Sequence, residues 1–224
     1  MVITIDGPVA AGKTSAGRRL ATRLGFTLLD TGAIYRSVAL VASGAGIDWR
    51  DEGQVIDTAE QLKIEFETGD EMNRVFVAGV DVTEAIRTPE ISRGASMVSA
   101  LPGVRTALLA LQQRRAIDRN VIAEGRDTGT VVFPAAETKF FLTAGPEVRA
   151  LRRYRELQDK GIDTALDEVL ADLEERDRRD SNRSVAPLVP APDAIRIDSS
   201  DLPIEGVVKR MVEKLPERFA KRPE

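Results

Sequence analysis

The sequence predicts an α/β fold whose parallel sheet is covered by helices on both faces. Three observations predict it. Short apolar runs alternate with segments of helical periodicity along most of the chain. Runs such as Val121-Ile122-Ala123 and Phe140-Phe141-Leu142 are continuous rather than alternating, as strands buried on both faces require. The first run leads into a glycine-rich loop and then a helix, the order of a βα unit.

Taken in order, Val2-Ile3-Thr4-Ile5 alternates and ends in Asp6-Gly7-Pro8, a strand over 2–6 that enters a tight loop. Residues 14–24 carry Ala16, Leu20 and Leu24 at helical spacing, with Gly25 as the expected stop. Phe26-Thr27-Leu28-Leu29 reads as a second strand. A turn at Asp30-Thr31-Gly32 and a helix over 33–43 follow. The middle reads differently. Lys63-Ile64-Glu65-Phe66-Glu67 and Arg74-Val75-Phe76-Val77 alternate around Thr68-Gly69-Asp70, which predicts an antiparallel hairpin inserted into the α/β pattern.

The α/β pattern then resumes. Val104, Leu108 and Leu111 give a helix face behind Pro102-Gly103, and short strands are expected at 121–123 and 140–142. Pro146 opens a basic amphipathic helix over 146–159. Thr164 with Asp167 resembles a capping box, opening a helix toward Arg178. Pro187, Pro190 and Pro192 mark an extended connection to a last strand at 194–197. Val207, Val208, Met211 and Leu215 mark a last helix.

Composition narrows the chemistry. The 224 residues suffice for one core with insertions. No apolar run approaches the roughly 20 residues that span a bilayer. Residues 2–5 are not preceded by a basic segment and an apolar stretch, so a cytosolic location is expected. The absence of cysteine excludes disulfides and thiolate metal sites. The absence of histidine removes the usual general base near neutral pH. Carboxylates, lysines, arginines, hydroxyls and backbone amides remain, a set that suits phosphoryl transfer. The net charge of −4 argues against bulk attraction to nucleic acid or anionic membrane. Arginines nevertheless crowd between 149 and 183, which predicts a local anion site.

Gly7-Pro8-Val9-Ala10-Ala11-Gly12-Lys13-Thr14, followed by Ser15, has the form of a phosphate-binding loop. Its glycines let backbone N–H groups turn inward around phosphate oxygens. The helix behind it presents its positive end to the same anion. Lys13 has the reach for the β- and γ-phosphates, and Thr14 is a Mg²⁺ ligand candidate. Switch GTPases and mechanical ATPases share such a loop. A guanine-reading Asn-Lys-x-Asp and an Asp-x-x-Gly switch are both absent, which counts against a GTPase.

Other groups are candidates for an acceptor site. Glu124-Gly125-Arg126-Asp127 follows the strand at 121–123, and ligands of open parallel sheets bind at such carboxyl ends. Glu124 suits a Mg²⁺ contact through water, Arg126 a phosphate, and Asp127 an exocyclic amine; an ion-paired surface turn has the same sequence. Arg176, Asp180 and Arg183 share one face if their helix continues. That face is suited to phosphate and a ribose diol, although a solvated salt-bridge face is the commoner meaning of this spacing. Arg149, Arg152 and Arg153 lie on the basic helix, within reach of ATP phosphates if a lid closes. Tyr35-Arg36 offers a ring and a cation.

With these motifs assembled, the chain resembles the bacterial cytidylate kinase family over essentially its whole length. The resemblance is carried by Ile3-Thr4-Ile5-Asp6-Gly7-Pro8, Ala11-Gly12-Lys13, Asp30-Thr31-Gly32-Ala33-Ile34-Tyr35-Arg36, the run from Glu124 to Pro134, and the run from Arg176 to Arg183. It implies the P-loop nucleoside monophosphate kinase fold, a five-stranded parallel sheet flanked by helices. The core would comprise 1–30, 101–147 and 184–224, with a monophosphate-binding insert over 31–100 and a short helical lid over 148–183. It implies transfer of the ATP γ-phosphoryl group to CMP or dCMP, with Mg²⁺, in a cytoplasmic monomer. Lys13, Arg126, Arg176 and Arg183 would be catalytic. Residues Gly7 to Ser15, with Arg149 and Arg153, would hold ATP. Thr31, Tyr35, Arg36 and Arg126 would surround the acceptor; Ser96, Arg105 and Asp127 would read cytosine; Arg176 and Asp180 would meet the sugar, with Arg183 near the phosphates. Thr14, and Glu124 through water, would serve the metal. Family members often carry Gly where this chain has Ala10, and Ser where it has Thr31. A kinase of the same architecture acting on UMP or another small metabolite, and an ATPase switch, remain the alternatives.

Overall fold

The computed structural model describes residues 1–67 and 73–220. Five parallel strands form the central sheet: β1 (Val2–Asp6), β2 (Thr27–Asp30), β6 (Val121–Gly125), β7 (Thr138–Thr143) and β8 (Ile195–Asp198), in the spatial order β2-β6-β1-β7-β8. The connection out of β1 runs toward β2 and the one out of β6 crosses to β7. The carboxyl end of β1 therefore lies where the winding changes direction, the usual crevice of such sheets. Both faces are buried, which is why the strands read as continuous apolar runs. Ile3, Ile5, Ile122, Phe140 and Leu142 pack with α1 (Lys13–Leu24) and α8 (Ile204–Glu213). Leu29, Val121 and Ala123 face α2 (Thr31–Gly44), α4 (Pro89–Val98) and α5 (Pro102–Arg114).

Gly25 ends α1 in the left-handed conformation, returning its N–H to Ala21 and Thr22 carbonyls, as its position predicts. The turn expected at Asp30-Thr31-Gly32 is instead the start of α2. Asp30 closes β2 and caps the helix, its carboxylate accepting from Ala33 N–H at 2.9 Å. The antiparallel insert has three strands, β3 (Ile64–Glu67), β4 (Arg74–Val77) and β5 (Val80–Asp81). Its expected turn at Thr68-Gly69-Asp70 lies outside the described residues. Two helices not anticipated from sequence flank it, α3 (Glu52–Glu60) and α4. The signal for α4 was present: Thr88 caps it, Pro89 opens it, and Ile91, Ala95 and Val98 are buried at helical spacing.

The basic helix α6 (Pro146–Asp159) matches its predicted limits. Helix α7 (Leu166–Ser181) does not open on Thr164 and Asp167. Glu168 is the capping acid, accepting from Ala165 N–H at 3.3 Å and the Thr164 hydroxyl at 3.2 Å. The two helices share a small apolar cluster of Ala150, Leu157, Val169 and Leu173, separate from the two main cores. Helix α7 ends at Ser181, so Arg183 lies beyond it and shares no helical face with Arg176 and Asp180. The chain finishes through α8 and the short α9 (Glu217–Ala220). Among the described residues, no single helix is long and apolar enough to cross a membrane.

Candidate active site

The carboxyl ends of β1, β2 and β6 bring Asp6, Asp30 and Glu124 together. Asp6 stands beside Gly125, and Asp30 beside Glu124, in the sheet register. The glycine-rich loop departs from β1. Gly7 is required there, because a Cβ would overlap the Leu142 carbonyl of β7 and φ is +148°. Ala10 adopts a left-handed φ of 59°. The loop therefore keeps a glycine-like path at the expense of local strain.

A cleft of about 580 Å³ opens over these strand ends. It is lined by the loop residues Val9, Ala10, Gly12, Lys13, Thr14 and Ser15, and by Thr31, Tyr35, Arg36, Arg105, Arg126, Asp127, Arg176, Asp180 and Arg183 from other elements. Its walls carry ten basic and five acidic side chains, in a chain whose net charge is −4. Burial and the neighbouring Arg126 push the Lys13 ammonium well below its ordinary value. Burial and Arg126 likewise bring Arg176 down to about 10. Several buried donors have no partner, among them Arg36 Nε, Arg105 Nε, Arg176 Nε and Arg183 Nη2. Cations crowded together with unspent donors are a site built for an anion.

The acids in the cleft hold these cations in place. Asp30 pairs with Arg36 at 2.6 Å; burial would raise its carboxyl, but Arg36 holds it below the ordinary value. Asp180 receives Arg126 Nε at 2.8 Å, and Arg126, Arg176 and Arg183 together outweigh its burial and keep it ionised. Asp127 pairs with Arg105, whose guanidinium lies over the Tyr35 ring, 5.4 Å from its centroid. Arg183 donates to the Asp180 carbonyl at 3.2 Å, so it converges on this wall without belonging to the helix.

Lys13 Nζ donates to the Pro8 carbonyl at 2.6 Å, folded against its own loop. Thr14 donates its hydroxyl to Glu124 at 2.9 Å, and the other Glu124 oxygen is buried without a partner. Burial and the adjacent Asp30 raise Glu124 to about 7. Among the described residues, no group of three or more carboxylates, thiols or imidazoles is placed to hold a metal ion. A hydroxyl beside one underused carboxylate fits a Mg²⁺ ion that takes most of its ligands from phosphate and water.

Other expected site residues lie outside the cleft wall. Arg149 is buried and donates to the Ala144 carbonyl at 2.9 Å, the Val9 carbonyl at 3.3 Å and Asp177 at 2.5 Å, so it braces the loop from behind. Gly7, Pro8 and Ala11 belong to the loop but do not line the cleft. Ser96 is buried with an unpartnered hydroxyl, while Ser92, Ala95 and Ser99 around it reach the cleft. Arg153 does line it, paired with Glu156 at 2.8 Å. Arg152 also lines it, and donates to the Ser199 carbonyl at 2.5 Å and hydroxyl at 2.9 Å; that hydroxyl donates onward to the Ala11 carbonyl. Sequence reasoning missed the charged lining groups Asp30, Arg87, Glu156 and Lys160, and the small residues Ser92, Ala95 and Ser99. Asp30 opens the Asp30-to-Arg36 motif, and its place directly after an apolar run was the available signal.

The cytidylate kinase family model matches residues 3–217. A cytidylate kinase of Azotobacter vinelandii is 46% identical over 220 residues, covering 97% of this chain and 96% of that one. Those of Shewanella sp. (strain MR-4) and Vibrio cholerae are 50% and 46% identical, covering 93% and 97% of this chain and 91% and 97% of their own. A crystal structure of an uncharacterised protein from Eubacterium ventriosum superposes with a TM-score of 0.50 at 10% identity, covering 99% of each chain, a likeness of fold alone.

Proposed function

The chain belongs to the cytidylate kinase family, and from that premise we infer a nucleoside monophosphate kinase that moves the ATP γ-phosphoryl group to CMP or dCMP, giving CDP or dCDP and ADP. The observation that carries this reading is the lining of the cleft. The phosphate loop with Lys13 shares the cleft with a second, denser set of cations, Arg36, Arg105, Arg126, Arg176 and Arg183. An ATPase switch needs only the loop.

In this reading the loop from Gly7 to Ser15 cradles the ATP phosphates, and Lys13 leaves the Pro8 carbonyl for the β- and γ-oxygens. Arg153 joins it from α6, and Arg149 serves by holding the Val9 carbonyl. Thr14, and Glu124 through water, would hold Mg²⁺, which would neutralise charge on the phosphates. Arg36 and Arg126 hold the acceptor phosphate beside Thr31 and Tyr35. Asp127, Arg105 and Ser96 read the base. Asp180 and Arg176 meet the sugar, with Arg183 near the phosphates. The acceptor phosphate oxygen attacks the γ-phosphorus in line, the new O–P bond forming as the bond to the ADP oxygen breaks. Lys13, Arg126, Arg176 and Arg183 stabilise the charge that spreads over the transferring group. No general base is needed, because the attacking oxygen is already anionic.

The functional division goes with this reading. Residues 1–30, 101–147 and 184–224 form the donor core, 31–100 the acceptor insert, and 148–183 a lid whose closure excludes water. The separate apolar cluster joining α6 to α7 supports treating them as one moving piece. Family resemblance supports a cytoplasmic monomer. The test is a coupled ADP-release assay with MgATP and a panel of CMP, dCMP, UMP, AMP and GMP. CMP and dCMP are expected to be turned over best. Better turnover of UMP or AMP, or ATP hydrolysis indifferent to any acceptor, overturns the reading.

A further inference from the structure

Asp6 is buried at 4% exposure at the carboxyl end of β1, behind the cleft lining, and it has no part in the mechanism above. Its carboxylate accepts three hydrogen bonds, from Thr128 N–H at 2.9 Å, the Thr128 hydroxyl at 2.8 Å and Gly129 N–H at 2.7 Å. These donors lie 122 and 123 residues away in sequence, in the π-type turn Thr128–Val132 that follows Arg126 and Asp127. Burial raises the Asp6 carboxyl in spite of those bonds, so the chain accepts a costly buried acid at this point.

The turn has no freedom to settle elsewhere. A Cβ on Gly129 would stand 2.8 Å from the Thr4 hydroxyl and 3.2 Å from Lys139 Cδ, so the backbone lies flat against β1. A Cβ on Gly125 would stand 2.5 Å from the Thr31 hydroxyl and 2.7 Å from Thr128 Cγ2. Arg126 and Asp127 are thus carried on a four-residue span pinned at both ends. One pin is the sheet register beside Asp6, and the other is the Asp6 carboxylate itself. Asp6 also immediately precedes Gly7, the first residue of the phosphate loop.

We propose that Asp6 is a positioning residue that fixes the acceptor-reading turn, and with it Asp127, in register with the phosphate loop. The proposal rests on the proposed assignment of Asp127 to the base of the acceptor. A carboxylate suits this task because it accepts from two successive N–H groups and a hydroxyl at once. Loosening the turn displaces Asp127 relative to the bound base. Displacements of about 1 Å at a reacting or recognising group cost up to about 100-fold.

The cleanest perturbation is on Thr128, which is wholly buried. Thr128→Val keeps the branched shape and removes the hydroxyl donor; Thr128→Ser keeps the donor and removes the methyl. Both leave the charge of Asp6 beside Lys13 unchanged. The readout is kcat/KM for CMP over that for UMP, together with the KM for MgATP. The preference for CMP is expected to fall about 3- to 10-fold in Thr128→Val and to stay within 2-fold of wild type in Thr128→Ser, with the ATP KM within 2-fold in both. Asp6→Asn is expected to lower the preference further; if it does not fold, the Thr128 pair decides alone. Retention of the preference by Val, loss by Ser but not Val, or an ATP KM that moves as much as the CMP preference overturns the proposal. Wild type and Asp127→Asn are run alongside. If wild type does not favour CMP, or Asp127→Asn keeps the preference, the underlying assignment has failed rather than the role of Asp6.

Discussion

Replacing Glu124 by Gln is expected to stabilise the ligand-free protein at neutral and alkaline pH while removing its activity. Glu124 is 3% exposed, one of its oxygens has no partner, and burial beside Asp30 raises it to about 7 from an ordinary 4.5. A carboxyl raised on folding contributes stability that is fully present below about 4.5 and is lost as pH rises through about 7. At pH 8, with the group ionised in both states, that difference is about 3 kcal/mol against the folded state. Gln is nearly isosteric and does not ionise, so it avoids this cost. Glu124 is also one of the charges that supports Lys13, and its removal takes back part of the gain. The expected net stabilisation at pH 8 is about 1–2 kcal/mol, shrinking to nothing near pH 4. Urea unfolding from pH 4 to 8.5 measures it. The single tryptophan, Trp49, is a suitable probe: its indole donates to the Ala39 carbonyl at 3.0 Å and packs on Gly94. A variant no more stable than wild type at pH 8, or one whose advantage is largest at acid pH, refutes the reasoning.

Three further outcomes are expected. Lys13→Ala should lower kcat by at least about 100-fold with an unchanged circular dichroism spectrum, since one preorganised cation is lost from the transferring group; near-normal turnover would remove the loop lysine from the mechanism. Gly94→Ala should cost about 1–3 kcal/mol in chemical denaturation, because its Cβ would stand 2.5 Å from the Trp49 ring between α2 and α4; a neutral result would mean that the ring has another place to go. Ala10→Gly should leave kcat within about 2-fold and raise the melting temperature slightly, because glycine relieves a left-handed φ that costs alanine about 1 kcal/mol; a lower melting temperature would show that Ala10 contributes packing that outweighs its strain.

Much of the fold was legible because its signals are local. Pro146 and the spacing behind it fixed α6, Gly25 ended α1, and continuous apolar runs marked the sheet. Misreadings came where a residue has two local meanings. Asp30 followed by Thr31-Gly32 has turn composition, but an aspartate that ends a strand also caps a helix, and the buried face of α2 decided between them. Arg183 continued a helical spacing from Arg176 and Asp180, yet the chain leaves the helix before it. Helix α3 buries only Val55 and Ala59, too thin an apolar stripe to stand out.

The sequence by itself determined the chemistry of the cleft: a glycine-rich loop with Lys13 and Thr14, and clusters of arginine and aspartate with no histidine or cysteine among them. It also determined the order of strands and helices in the sheet-forming core, though not α3 and α4 of the insert, since periodicity and caps act within a few residues. Tertiary structure alone decided which acid holds which cation: Asp30 with Arg36, Asp127 with Arg105, and Asp180 with Arg126. It alone made Asp6 a support for residues more than 120 positions away. The physical reason is that a buried charge is satisfied by whatever the packed sheet brings within about 3 Å of it, and no sequence interval encodes that distance.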